Sequence, residues 1–122
     1  MSLEAYKVIH LFGIFLILIS LGGMSLHVAN GGTRDYPLRK MMAMSHGIGL
    51  LIALIAGFGM LARLQLMNAI PTWAFAKLAI WLVLGGLPAL IYRKPALAKV
   101  FWGLIVLLAT TAAFLAVFKP GA

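Results

Sequence analysis

The sequence contains no cysteine and almost no acidic residues. The absence of cysteine excludes disulfides, iron–sulfur clusters, zinc–thiolate sites and the covalent attachment of a c-type haem. Only Glu4 and Asp35 are acidic, against ten Lys and Arg residues, so the net charge is +8. The basic residues stand in short clusters between apolar runs and form no continuous basic face that could follow a phosphate backbone. Nucleic-acid binding is therefore not expected.

Charged residues of either sign are scarce. They make up 10% of the chain, whereas hydrophobic residues make up 64%. A soluble domain is usually about half apolar and about a quarter charged. A chain with this composition cannot cover its apolar surface with polar groups in water, but in lipid it has no need to. The sequence therefore predicts an integral membrane protein whose surroundings are the lipid bilayer.

Apolar runs long enough to cross a bilayer, which takes about 20 residues, occur four times. Short polar connections separate them, and short connections join antiparallel neighbours. We predict an all-α membrane protein, an antiparallel four-transmembrane-helix bundle that forms a single domain over 1–122. Pro88, inside the third run, is expected to bend its helix at most. The predicted helices are at about 5–28, 38–64, 72–92 and 96–118.

Two further expectations concern targeting and orientation. The first run is too long for the apolar core of a cleavable signal peptide and lacks its cleavage site. Basic residues are enriched in cytoplasmic loops, and six stand at the first and third loops against three at the second loop and the termini. We therefore expect a bacterial inner-membrane protein with both termini in the periplasm. The six are Arg34, Arg39, Lys40, Arg93, Lys94 and Lys99, and the three are Lys7, Arg63 and Lys119.

Several polar residues fall inside the apolar runs, where polar side chains usually face the bundle interior. A left-handed bundle places an a/d heptad pattern inward. With His10 at position a, one face of the first helix carries His10, Gly13, Ile17, Ser20, Met24 and His27. With His46 at position a, one face of the second helix carries Arg39, Met42, His46, Gly49, Ala53, Ala56, Met60 and Arg63. Both faces are expected to point into the bundle.

Three inward histidines suggest a b-type haem. Neutral imidazole is the usual axial ligand of such a haem, and helix bundles commonly hold the group in their cores. Gly13 and Gly49, one turn from a histidine each, would leave room for a flat macrocycle, and Arg39 could pair with a propionate. The leading hypothesis is a membrane b-type cytochrome that transfers electrons to or from a quinone or a redox protein.

The identity of the ligand pair depends on depth in the membrane. At a rise of about 1.5 Å per residue, His27 and His46 should differ in depth by about 10 Å, and His10 and His46 by about 15 Å. His46 belongs to both candidate pairs and is expected to be indispensable, with His27 favoured over His10 as its partner. Ligands contributed by two subunits of a homodimer would relax either constraint.

Lys77 is the one basic residue well inside a predicted span. Its ammonium group could reach the outer interface by extending the side chain along the helix. It could instead lie beside a haem propionate or an anionic substrate, or exchange protons with His10, which is expected at a similar depth. His10 and Lys77 are therefore the candidate catalytic residues.

Short motifs in the first three runs resemble the HemJ family of small membrane proteins, which is linked to protoporphyrinogen IX oxidation. Trp73, followed after three residues by Lys77-Leu78-Ala79, resembles that family's W-x-x-x-K-L-A signature. Lys7-Val8-Ile9-His10 resembles the start of its first helix, and Arg39-Lys40-Met41 the start of its second. Similar four-helix modules occur in CopD-type copper-resistance proteins. The resemblance covers roughly the first 80 residues.

The resemblance implies roles for His10 and Lys77, and a b-type haem held by His and Met. The chain departs from the family in three respects. Gly23, Met24 and Ser25 stand where the family has an arginine, and the connecting loop is shorter. His46 falls near the region of the family's second-helix Met ligand, which would suggest a bis-His site here. Two alternatives to the cytochrome hypothesis follow. One is a HemJ-like protoporphyrinogen IX oxidase with porphyrin as its substrate.

The other alternative is a cofactor-free or copper-related transport or assembly module. The methionines on the predicted inward faces, Met24, Met42 and Met60, motivate it because thioether sulfur is a soft ligand that suits Cu(I).

Overall fold

The computed structural model describes residues 1–120, and these residues form four long helices. The helices are α1 (Leu3–Ala29), α2 (Arg39–Arg63), α3 (Thr72–Arg93) and α4 (Ala98–Phe118), and a 3-10 turn, Pro95–Leu97, leads into α4. Within residues 1–120 there is no strand. All four helices are long and apolar enough to cross a membrane. The predicted all-α, four-helix fold is confirmed, and the chain is a multi-pass membrane protein.

The outer faces of the helices carry large apolar side chains. Phe15 is 61% exposed, Ile19 69% and Leu82 62%. Leaving such groups in water costs about 25 cal/mol per Å² relative to burying them. Within residues 1–120, no other part of the chain covers them. Contact with lipid tails removes that cost, so the bilayer supplies the contacts that a second layer of protein would supply in a soluble fold.

The loops after α1 and α2 begin with the same kind of helix end. Gly31 and Gln65 have positive φ angles, 86° and 60°. In each case the next residue's N–H bonds the carbonyl five residues back, Gly32 to His27 at 2.9 Å and Leu66 to Leu61 at 2.9 Å. This Schellman geometry satisfies carbonyls that the helix end would otherwise leave unpaired. Gly31 adopts it without strain, whereas Gln65 carries a Cβ into the left-handed region.

The closest helix pair is α1 with α2, and two glycines permit the approach. A Cβ on Gly13 would lie 2.7 Å from the Ala53 backbone nitrogen and 2.8 Å from the Gly49 oxygen. A Cβ on Gly49 would lie 2.6 Å from the Gly13 oxygen. Small residues at a crossing allow backbones to meet, and in lipid this packing is a principal source of helix association. The pair is therefore close because neither residue has a side chain.

The remaining helices pack around α1. The core joins α1 residues such as Leu21 to Leu87 and Ile91 of α3 and Phe101 of α4. No Cα atom of α2 lies within 8 Å of α4, and α2 approaches α3 closely at few points. Long side chains fill the space between α2 and α3. The α2–α3 seam thus depends on side chains, whereas α1 and α2 also meet directly at their backbones.

Both predicted inward faces are confirmed. Four residues of the α1 pattern and four of the α2 pattern are buried, while His10, His27, Met42 and Met60 are half-buried and the two terminal arginines are exposed. The buried residues are Gly13, Ile17, Ser20, Met24, His46, Gly49, Ala53 and Ala56. Helix α3 continues through Pro88 to Arg93, so this proline does not break the span.

Candidate functional site

His10 is anchored at one ring nitrogen and free at the other. Its Nδ1 lies 2.8 Å from the Ala53 carbonyl oxygen of α2. A carbonyl only accepts, so Nδ1 carries the proton, and in the neutral ring Nε2 has a bare lone pair. That Nε2 is buried and has no hydrogen-bond partner among residues 1–120. A histidine that donates one N–H to a backbone carbonyl and leaves the other nitrogen free has the arrangement of a metal ligand or a proton acceptor.

Lys77 of α3 lies near His10. The Lys77 ammonium is close enough for its charge to act on the His10 ring, and Lys119 acts on Lys77 in turn. The Lys119 ammonium lies over the ring of Trp73, 5.7 Å from its centroid. The structure therefore brings together the two candidate catalytic residues at one end of the bundle. Trp73 and Lys77, from the W-x-x-x-K-L-A motif, both belong to this cluster.

His46 is buried and bonds across the α2–α3 seam. Its Nε2 donates to the Leu84 carbonyl oxygen at 2.9 Å. Leu84 stands four residues before Pro88, which has no N–H, so this carbonyl has lost its partner within the helix. A buried carbonyl without a partner costs about 1–3 kcal/mol. The His46 ring supplies the missing donor, which explains a histidine at this position without any cofactor.

His27 stands in the last turn of α1, and its ring contacts the loop between α1 and α2. Its Nε2 donates to the Thr33 carbonyl oxygen at 2.7 Å. Its ring stacks on Tyr36, with centroids 3.6 Å apart and an interplanar angle of 21°. A side chain on Gly32 would collide with the ring. These contacts order the loop after α1 and use Nε2, the less hindered of the two ring nitrogens for a haem iron.

The three histidines lie at three different depths. His10 is level with Ala53, about 10 Å along α2 from His46 at the helical rise of 1.5 Å per residue. His27 is level with the loop that precedes α2, at least about 10 Å from His46 on the other side. The fit of a bis-histidine haem within one chain is therefore poor, because His46 and His27 direct Nε2 at carbonyls and no two rings face each other. His10 alone presents a free Nε2.

Of the other predicted cofactor residues, Gly13 and Gly49 pack at the α1–α2 crossing, and Arg39 lines a cavity. Gly13 and Gly49 face each other, so the opposite helix occupies the room expected for a macrocycle. Arg39 does lie near His46, since both line one cavity of about 240 Å³. A second cavity of about 310 Å³ lies between α1 and α4. Neither cavity borders His10 or Lys77, and pockets for cofactors and drug-sized ligands usually measure about 300–1,000 Å³.

The methionines of the copper alternative are spread along α1 and α2. Met24 lines the 240 Å³ cavity, and Met42 packs its sulfur against Gly23 of α1. Met60 lies about 27 Å farther along α2 at the helical rise. The three thioethers form no common site. In the described part of the chain, no cluster of three His, Cys, Asp or Glu side chains could hold a metal ion either.

Sequence reasoning missed an aromatic group at the end of the bundle that carries the first loop. The Tyr36 and Tyr92 hydroxyls are 2.5 Å apart, and the Arg34 guanidinium lies 5.5 Å from the centroid of the Tyr92 ring. Trp81 was missed as well; its Nε1 donates to the Leu50 carbonyl at 3.0 Å across the α2–α3 seam. For the two tyrosines, the available signal was the enrichment of Tyr near a membrane interface; Trp81 stands near the centre of α3, where this signal does not apply. Comparison with family models, curated proteins and solved structures found no match for this chain.

Proposed function

We propose that this protein is a redox protein of the bacterial inner membrane that binds a b-type haem through His10. The observation that supports the proposal is the His10 ring, which Ala53 orients and whose buried Nε2 has no partner. A buried, unpaired polar atom costs free energy, and such an atom persists where it has a use. The bound iron would supply the one-electron chemistry, and a quinone or a redox protein would exchange the electrons.

The choice of His10 differs from the pair expected from the sequence, in which His46 was central. His46 and His27 each donate Nε2 to a backbone carbonyl. Nε2 is the ring nitrogen farther from the backbone and the less hindered one for a haem iron. Ligation through Nε2 of either ring would require that bond to be given up, and at His46 the Leu84 carbonyl would again lack a donor. His10 keeps its carbonyl bond when its Nε2 binds a metal. The geometry thus favours a site with one histidine from this chain.

Haem binding at His10 also requires space that the two cavities do not provide. The α2–α3 seam is where this space can open, because few close backbone contacts cross it. Two side-chain bonds hold it, from His46 to Leu84 and from Trp81 to Leu50. We propose that the Lys77 end of α3 moves away from α2 when the group binds, while the bond from His46 to Leu84 stays in place. This movement would expose Nε2 and carry Lys77 outward.

The position of Lys77 favours a second candidate, a HemJ-like protoporphyrinogen IX oxidase. Oxidation of a porphyrinogen releases protons as well as electrons, and its substrate carries carboxylates. Lys77 lies near the His10 ring. In this candidate, Lys77 binds a substrate carboxylate and His10 accepts a proton. A quinone would be the electron acceptor.

The test begins with the absorption spectrum of protein produced with ample haem. A Soret band is expected, and His10→Ala should remove it. His27→Ala is the matched control, since it deletes an imidazole from the same helix and should keep the band. A colourless wild-type protein, or a band that survives His10→Ala and disappears with His46→Ala, contradicts the assignment.

Complementation of a strain that lacks protoporphyrinogen oxidase separates the two candidates. If the protein is an oxidase, the wild type rescues growth and Lys77→Met, which keeps the length and loses the charge, does not. If it transfers electrons only, neither rescues growth and the haem band persists in both.

A further inference from the structure

The strongest unassigned feature is the cavity at the end of the bundle where α1 ends and α2 begins. Three helices and the first loop form it, and its volume is about 240 Å³. Its lining residues are Met24, Arg34, Arg39, Ala43, His46, Pro88, Ala89 and Tyr92. It lies on the opposite side of His46 from His10 and shares no residue with the His10–Lys77 cluster.

The cavity is positively charged and its lining does not neutralise that charge. Arg34 and Arg39 are exposed at its opening, and no lining residue is acidic. Of the two acidic residues in the chain, Glu4 stands in the first turn of α1, at the other end of the bundle. Asp35 alone is near, so two guanidinium groups face at most one carboxylate. The opening therefore attracts an anion.

The two arginines come from different elements, Arg34 from the first loop and Arg39 from the start of α2. Arg34 lies over the ring of Tyr92, and the Tyr92 hydroxyl bonds Tyr36, which stacks on His27. Arg39 is the first residue of α2, whose N-terminus has no side-chain cap. Because these contacts fix the loop before a ligand arrives, less ordering is required on binding.

The size and donor pattern point to phosphate. A volume of about 240 Å³ is below the usual range of about 300–1,000 Å³ for drug-sized ligands, so it suits one small polar group. Phosphate oxygens are strong acceptors that a planar guanidinium binds through paired N–H groups, and two guanidinium groups can bind one phosphate group together. The buried Met24 and the half-buried Pro88 give the inner wall of the cavity an apolar character.

We infer that this cavity binds a phosphate group through Arg34 and Arg39. Two sources supply that chemistry at a membrane surface: the phosphodiester of an anionic phospholipid and a soluble phosphate ester. Basic pockets between transmembrane helices are known to hold lipid headgroups. The inference is independent of haem binding, because neither arginine contacts the His10 cluster.

The test compares arginines inside the cavity with basic residues beside it. Wild-type protein in detergent is titrated with phosphatidylglycerol, with phosphatidylcholine and with inorganic phosphate, and binding is followed by native mass spectrometry and by the shift in thermal unfolding. The double variant Arg34→Gln/Arg39→Gln should weaken binding by at least about tenfold, since two charge-assisted contacts are lost. The control Arg93→Gln/Lys94→Gln removes the same charge from the same end and should change binding by less than about twofold.

The three probes distinguish a lipid headgroup from a soluble phosphate ester, and the variants can overturn the inference. Preference for phosphatidylglycerol over phosphatidylcholine, without inorganic phosphate binding, assigns the pocket to a headgroup; competition by inorganic phosphate assigns it to a soluble ester. Equal losses in both double variants, or no binding of any probe by the wild type, overturn the site. If the Gln variant does not fold, Arg34→Lys/Arg39→Lys keeps the charge and loses the paired donors. It should still bind severalfold more weakly, and unchanged affinity refutes the inference.

Discussion

The bond from His46 to the Leu84 carbonyl allows a prediction about stability that needs no ligand. Pro88 has no N–H, so in the wild type the Leu84 carbonyl depends on His46. Replacing His46 by Leu keeps a side chain of similar bulk and removes the hydrogen-bond donor. The variant should lose the free energy of one interhelical hydrogen bond and also leave a buried carbonyl unpaired.

The second perturbation, Pro88→Ala, restores the missing backbone donor. The new backbone N–H at position 88 can then reach the Leu84 carbonyl within α3, and His46 becomes redundant. His46→Leu should therefore cost less in the Pro88→Ala background than in the wild type. Interhelical hydrogen bonds in membrane proteins are worth about 0.6 kcal/mol on average and about 1.7 kcal/mol at most. We expect a coupling energy of about 1 kcal/mol in this double-mutant cycle.

The measurement is the free energy of unfolding of the four proteins in mixed micelles, with denaturation by SDS. Trp81→Phe provides the control cycle, since its Nε1 donates across the same seam to the Leu50 carbonyl, which Pro88 does not affect. Trp81→Phe and Pro88→Ala should be additive within about 0.3–0.5 kcal/mol. If His46→Leu and Pro88→Ala are also additive within that limit, His46 does not replace the missing donor and the assignment of its role is wrong.

The remaining predictions concern the α1–α2 crossing, a strained turn and the orientation. Gly49→Ala places a Cβ against the Gly13 backbone and should destabilise the fold by about 1–3 kcal/mol. Gly47→Ala adds a Cβ in open space on the same helix and should not destabilise it. Equal effects of the two substitutions on the free energy of unfolding would refute close packing at Gly49. Gln65→Gly relieves a left-handed residue at φ 60° and should raise the free energy of unfolding by up to about 1 kcal/mol; a decrease would contradict the turn geometry. A reporter enzyme that is active only in the periplasm should be active when it is fused after Lys119. Activity of a cytoplasm-specific reporter at the same position would reverse the topology.

Composition and pattern alone determine that the chain is a four-helix membrane protein. Apolar runs of spanning length leave few other folds, because in lipid each backbone N–H and C=O must be paired within the protein, and a helix pairs nearly all of its own. The heptad pattern also identified the inward faces correctly, since Ser20, Met24, His46 and Gly49 are buried where the periodicity placed them. These features depend on the local chain, and local rules suffice to predict them.

Only the tertiary structure decides what each inward polar residue contacts. The sequence places three histidines on inward faces, but it does not specify which carbonyl each ring meets. His46 meets Leu84 because Pro88, far away in the chain, leaves that carbonyl free. Gly13 and Gly49 admit a neighbouring backbone instead of a macrocycle because α1 and α2 cross there. Hydrogen bonds and close packing require positions in three dimensions, whereas periodicity specifies only a direction around each helix.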